Sequence, residues 1–156
     1  MVMTSRQASE VVKSILTFLR TVRVSAQPAV TTSEEYFEEA GVVWANDIFQ
    51  AEFYGLDLPA TKEIELAVRK LEEVSLDASI LAELGDKAEI SVSQLCAFLS
   101  ENRESSEWFI FYLNGRNGVW AVRAFWFVGS GGWFVFARSV AGPNGWGQGR
   151  RVVSQV

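Results

Sequence analysis

The chain has 156 residues, of which 49% are hydrophobic and 21% are charged, a balance typical of a globular protein rather than a disordered one. It contains no histidine and one cysteine, Cys96, which excludes an intrachain disulfide and a zinc site built from Cys and His. No apolar run approaches the roughly 20 residues that a membrane-spanning helix needs. We therefore expect a soluble single domain over residues 1–156, with the cytoplasm as the favoured compartment.

The net charge of −5 hides a strong segregation along the chain. Residues 33–107 carry 18 acidic side chains and five basic ones, whereas residues 108–156 carry five arginines and no acid. Five of the six tryptophans lie in the second stretch. Arginines interleaved with aromatic side chains are typical of nucleic-acid binding, but the acidic stretch would repel a polyanion.

Residues 5–24 carry apolar side chains at helical spacing, among them Val11, Ile15 and Leu19. This pattern predicts a basic amphipathic helix, which spans residues 1–24 and is followed by a linker over residues 25–32. The first interpretation of the helix is packing or oligomerisation through its apolar stripe. An organellar targeting peptide is the alternative interpretation.

The segment 33–104 is predicted to be helical. Ser33 has the features of an N-cap for a helix that ends near Gly55, and a further helix is expected to begin near Thr61 and to bury Leu71. Both assignments rest on apolar residues recurring along one helical face.

Two later helices have clearer local signals. A short helix is predicted over residues 78–84, ending at Gly85. Ser91 and Gln94 form a capping box at the start of the next helix, whose inner face includes Cys96. That position predicts a buried structural cysteine rather than a catalytic thiol.

From Trp108 onward the apolar period changes to two, and β-branched and aromatic residues dominate. We predict four strands, at 108–113, 119–128, 132–140 and 150–156, joined as an antiparallel meander. The predicted fold class is α+β, with N-terminal amphipathic helices packed on this four-stranded sheet. The turn of the first hairpin is ambiguous, and the faces of its first strand are left open.

Closing the second hairpin on Val128 and Trp133 predicts that Arg123 lies opposite Arg138. One face then carries both arginines and four phenylalanines: Arg123, Arg138, Phe125, Phe127, Phe134 and Phe136. Like charges directly across a ladder are unfavourable, so these arginines need an acidic side chain of the chain itself or an external anion. Both faces of the hairpin are apolar, which predicts that the second face is covered by a helix, a protomer or a ligand.

Catalysis finds little support in the sequence. No histidine is present to activate a nucleophile, and no loop of alternating Asp and Asn ligands suits Ca²⁺. We therefore predict no catalytic residue, no metal site and no cofactor. A carboxylate-based enzyme of unknown reaction remains as a third interpretation.

The leading interpretation is a non-catalytic protein-interaction or assembly module. It would use the apolar sheet face and the basic N-terminal helix, with a protein partner or a second copy of the chain in a homo-oligomer. Single-stranded nucleic-acid binding through the basic aromatic sheet is the alternative. The candidate binding residues are those of the predicted face together with Trp146, an aromatic side chain in the Gly-rich loop before the last strand.

Overall fold

The computed structural model describes residues 13–156 and is built around a seven-stranded mixed sheet. Its elements in chain order are β1 (Leu16–Val24), β2 (Val30–Thr31), α1 (Glu34–Glu39), β3 (Val42–Ala45), α2 (Asp47–Phe53), β4 (Asp57–Leu58), β5 (Ile64–Leu71), α3 (Asp77–Leu84), α4 (Val92–Glu101), β6 (Phe109–Gly115), β7 (Gly118–Phe127), β8 (Gly132–Ser139) and β9 (Arg151–Gln155). In this part of the chain no helix is long and apolar enough to cross a membrane.

The strand order in the large sheet is β1-β5-β9-β6-β7-β8-β3, and β2 pairs with β4 in a separate small sheet. Strands β6, β7 and β8 are joined by antiparallel hairpins, as expected. The last strand, β9, lies between β5 and β6 and is parallel to β6. The edge strand β3 is parallel to β8. The prediction of N-terminal helices packed on a four-stranded antiparallel meander is therefore wrong.

The N-terminal helix prediction fails within the described residues, because residues 16–24 form the edge strand β1. A β-bulge between Phe18 and Arg20 explains the misleading spacing. The extra residue switches the inward face, so Leu16 packs against one side of the sheet and Val24 against the other. An alternation interrupted in this way imitates helical spacing. The remainder of that prediction, and of the targeting interpretation, falls on residues 1–12, outside the described residues.

The helix expected to begin near Thr61 is instead β5, whose residues Leu66, Ala67 and Val68 are all fully buried. A strand buried on both faces loses the polar alternation that identifies strands in a sequence.

The helix predicted from Ser33 to Gly55 is broken into α1, β3 and α2. Gly41 follows α1 with a φ of +100°, a backbone conformation that favours glycine. Asn46 then caps α2 by accepting a hydrogen bond from the backbone N–H of Phe49. The chain therefore turns twice where one helix was expected.

Local signals at α3 and α4 are confirmed. Helix α3 ends at Gly85, and the capping box of Ser91 and Gln94 begins α4. Cys96 is buried, as predicted.

The two faces of the sheet have different cover. We call the side that packs against α1, α2 and α4 the front face; its core includes Phe37, Phe53 and Phe98 from the helices. The opposite side is the back face, on which Ile80 and Leu84 of α3 pack together with Trp146. This second core lies over residues such as Leu71, Tyr112 and Ala121. The cover of the back face is thus one helix and one loop.

Candidate functional site

The β7–β8 hairpin brings most of the predicted site residues to the back face. Its register is displaced by two residues from the predicted one, so that Phe125 lies opposite Phe134, and Arg123 opposite Phe136. The displacement arises because the turn continues through Val128–Ser130 to Gly131, which adopts a left-handed conformation. An even displacement leaves each side chain on the same face, but the predicted pairing of Arg123 with Arg138 is wrong.

Four aromatic rings form a row that runs from the residue before β6 across β7, β8 and β3, which we call the aromatic row: Trp108, Phe125, Phe134 and Trp44. Trp108 stacks on Phe125 with ring centroids 4.5 Å apart and planes inclined by 13°. Phe125 and Phe134 are 5.6 Å apart, and Phe134 stacks on Trp44 at 5.7 Å. Trp108 with Phe125, and Phe134 with Trp44, are stacked pairs whose members turn one ring face toward each other, whereas Phe125 and Phe134 are inclined by 39°.

Phe127 and Phe136 widen the row on either side. Phe127 stacks on Phe134 at 4.9 Å, and Phe136 lies 4.7 Å from Trp44. We use the name aromatic–arginine face for the aromatic row together with its flanking side chains: Trp44, Trp108, Arg123, Phe125, Phe127, Phe134, Phe136 and Arg150. Trp44 and Phe127 are 42% and 44% exposed, so this part of the back face is not covered by α3.

Two arginines lie against these rings without an acidic partner among residues 13–156. The guanidinium carbon of Arg123 is 4.2 Å from the centroid of Phe136 and 5.0 Å from that of Trp108. That of Arg150 is 4.2 Å from the Trp108 centroid. Within residues 13–156, no carboxylate oxygen lies within 4.0 Å of either guanidinium group. Both cations are therefore held by aromatic rings rather than by ion pairs.

The environment of Arg123 is unfavourable for its charge. Burial lowers the pKa of Arg123, and the charges of Arg150 and Arg138 lower it further. Its Nε is buried and finds no acceptor among the described residues. The charge of Arg123 therefore lies in an environment that stabilises it poorly.

Arg138 and Trp146, both predicted as site residues, lie in a different cluster beside this face. Arg138 is 3.3 Å from Asp77 and donates to the carbonyl of Asn144, and its guanidinium carbon is 3.5 Å from the Trp146 ring centroid. Trp146 and Tyr112 each donate a 2.6 Å hydrogen bond to Asp77. The structure thus assigns Arg138 an internal acidic partner and buries Trp146.

The acidic residues of the helices lie mostly on the other side of the sheet. Helices α1 and α2 both pack on the front face. Four of the six residues of α1 are glutamates, and α2 begins with Asp47. Near the aromatic–arginine face, Glu107 binds Arg20 at 2.8 Å and Arg151 at 2.7 Å. Burial raises the pKa of Glu107, but these two arginines lower it by more.

Sequence reasoning missed Trp44, Trp108 and Arg150. Trp44 was assigned to a helix, although the run Val-Val-Trp-Ala has strand composition. The face of Trp108 depended on the first hairpin, where the pairing of Gly115 with Gly118 now shows a two-residue turn. The position of Arg150 beside Trp108 results from the parallel pairing of β9 with β6, which was not predicted.

The described residues offer no grouping of three or more cysteine, aspartate or glutamate side chains that could hold a metal ion. Burial raises the pKa of the Cys96 thiol to about 12, which makes it a poor nucleophile.

Comparisons with known protein families, curated proteins and solved structures find no match for the chain. The aromatic–arginine face itself offers exposed apolar surface and positive charge.

Proposed function

We propose that the protein is a non-catalytic protein-interaction module, whose aromatic–arginine face docks an apolar and acidic segment of a partner polypeptide. The observation that carries this proposal is the incomplete cover of the back face. Helix α3 and the loop with Trp146 pack over one part of it, while in the aromatic row beside them Trp44 is 42% exposed and the other three rings are only partly buried.

The exposed apolar surface continues around the end of the hairpin. Val128 at its tip is 86% exposed, and Val43 on the edge strand β3 is 50% exposed. Val43 also packs directly against Gly132 at the start of β8, so the two exposed regions are adjacent. Apolar surface that continues over several neighbouring side chains marks an interaction site more often than isolated exposed residues do.

Charge selects the kind of partner. Arg123 and Arg150 supply positive charge with no carboxylate of residues 13–156 within 4.0 Å, and the ring edges of the stacked aromatic pairs carry partial positive charge. Both features favour a segment with carboxylates and carbonyl oxygens. They also disfavour a symmetric dimer through this face, because two copies would bring the same arginines together.

Single-stranded nucleic-acid binding is the second candidate function. The position of α1 and α2 on the front face favours it, because their acidic side chains are separated from the arginines by the sheet. The ring geometry opposes it. Bases stack on exposed ring faces, whereas Trp108 and Phe125 turn their faces to each other.

A displayed library of random peptides, selected in parallel on the wild-type chain and on Phe127→Ser, tests the proposal. We expect enrichment of sequences in which Asp or Glu neighbours aromatic or aliphatic residues, and loss of that enrichment on the variant. Phe18→Ser is the matched control, since Phe18 is 53% exposed on the opposite edge strand. Equal enrichment on Phe127→Ser contradicts the proposal. Salt-sensitive binding of single-stranded oligonucleotides without peptide enrichment would support the second candidate instead.

A further inference from the structure

We infer that Arg123, Trp108 and Arg150 form a subsite that takes one carboxylate of the bound polypeptide. This inference rests on the proposed function and adds to it the position at which the partner's acidic group binds. It is carried by the geometry of the two guanidinium groups around one indole ring and by a cavity next to them.

The indole ring of Trp108 holds both cations in place. Their guanidinium carbons lie 4.2 Å and 5.0 Å from its centroid, for Arg150 and Arg123 respectively. Trp108 is itself fixed by stacking on Phe125. Two like charges beside one ring repel each other, and an anion bound near them would offset that repulsion and accept hydrogen bonds from Arg150.

The neighbouring arginines are already engaged. Arg151 donates to Glu107 and to the carbonyl of Gly149, and Arg20 donates to the other oxygen of Glu107. Glu107 is therefore neutralised by two cations and does not compete for Arg150. This contrast separates Arg150 from the adjacent Arg151, although the two are consecutive in the chain.

A cavity of about 320 Å³ opens beside Arg150, lined by Ser106, Glu107, Trp108, Gly149, Arg150 and Arg151. Arg123 lies against Trp108 outside this lining. Its volume accommodates an Asp or Glu side chain. The planar guanidinium of Arg150 can bind a carboxylate through two parallel hydrogen bonds. The aromatic row begins at the same tryptophan, so an apolar side chain next to the acidic one would lie over Phe125.

The subsite can be tested with 3-phenylpropionate, which combines a carboxylate with an apolar ring, and with its neutral amide as the matched ligand. Titration of the full chain is followed by the NMR signal of the Trp108 indole N–H. We expect the carboxylate to bind about tenfold more tightly than the amide. Arg150→Gln and Arg123→Gln should each remove that preference, while Arg23→Gln, at an exposed arginine of β1 that lies 3.9 Å from Glu65, should keep it.

The assignment is overturned if the amide binds as tightly as the carboxylate, or if the preference survives in either Arg→Gln variant. These outcomes are distinct from failure of the proposed function. Loss of the carboxylate preference with intact peptide enrichment on the wild-type chain would leave a protein-binding face without this subsite. A carboxylate preference without any enriched peptide would leave an anion subsite without the proposed function.

Discussion

The indole Nε1 of Trp146 donates a 2.6 Å hydrogen bond to Oδ1 of Asp77, which joins two segments 69 residues apart in the chain. The hydroxyl of Tyr112 donates to the same oxygen, and Arg138 reaches the other oxygen at 3.3 Å. Asp77 is 1% exposed, so this carboxylate sits in the core and fixes both parts of the back-face cover. The extent of the aromatic–arginine face therefore depends on one buried acidic residue.

Asp77→Asn should destabilise the protein by about 2–4 kcal/mol, because the amide cannot neutralise Arg138 and offers one acceptor oxygen instead of two. Urea unfolding followed by far-UV circular dichroism measures the loss. Asp86→Asn, an exposed aspartate just after the same helix, is the control and should change stability by less than about 0.5 kcal/mol. Equal stability of the two variants would show that the buried cluster contributes nothing.

The two arginines of the predicted site should respond oppositely to loss of charge. Arg138→Met leaves Asp77 without its cation and should cost about 1–3 kcal/mol of unfolding free energy. Arg123→Met removes a charge that has no acidic partner among the described residues, so stability should stay the same or rise slightly. Thermal and urea unfolding of both variants check this. A large destabilisation by Arg123→Met would indicate a structural role for that guanidinium group.

Glu52 should make the stability of the folded protein vary with pH in the acidic range. Its carboxylate accepts hydrogen bonds from the backbone and side-chain nitrogens of Asn117 and from Trp120 Nε1, and these lower its pKa despite the opposing effect of burial. A lowered pKa in the folded state stabilises the protein above the ordinary glutamate pKa of about 4.3. That stabilisation is lost as pH falls through the folded-state pKa.

Glu52→Gln should therefore be less stable than the wild type at neutral pH, and the difference should shrink below about pH 4. Urea unfolding between neutral and acidic pH measures it. Glu63→Gln, at an exposed residue just before β5, is the control and should show no such convergence. A difference that stays constant with pH would contradict the role of the ionised Glu52.

Gly132 leaves room for a neighbouring valine. A Cβ added there would lie 2.2 Å from Cγ1 of Val43 and 2.9 Å from the carbonyl oxygen of Gly41. Gly132→Ala should therefore separate β3 from β8 and cost about 1–3 kcal/mol. Gly147→Ala, where an added Cβ meets nothing within 4 Å, is the control. Chemical denaturation compares them, and equal effects would show that β3 adapts without cost.

Cys96 should react slowly with thiol reagents in the folded protein. Burial raises its pKa to about 12, and the thiol lies in the front-face core. Reaction with 5,5′-dithiobis(2-nitrobenzoic acid) at mildly alkaline pH should be at least about tenfold slower than for free glutathione. Concentrated urea should restore the ordinary rate. A fast reaction in native buffer would mean that α4 opens frequently.

Features that depend on a few adjacent residues were predictable from the sequence. The capping box at Ser91, the end of α3 at Gly85 and the hairpins of β6, β7 and β8 all arise from local hydrogen bonds or turn geometry. The sharing of one face by Arg123, Phe125 and Phe127 followed from strand alternation alone. This predicted face is correct although the predicted register was wrong, because the register differs by an even number of residues.

Tertiary structure alone decided the rest. Strand β1 rather than a helix results from pairing with β5 across 40 or more residues of chain, with a bulge that hides the alternation. The insertion of β9 beside β6 places Arg150 on Trp108, and the parallel edge strand β3 adds Trp44 to the aromatic row. Such contacts depend on which strands become neighbours, and a strand's own residues carry no information about its distant partner. The predicted pairing of Arg123 with Arg138 failed for a local reason, the longer turn of the β7–β8 hairpin, whereas only the fold could pair Arg138 with Asp77 and leave Arg123 on the aromatic–arginine face.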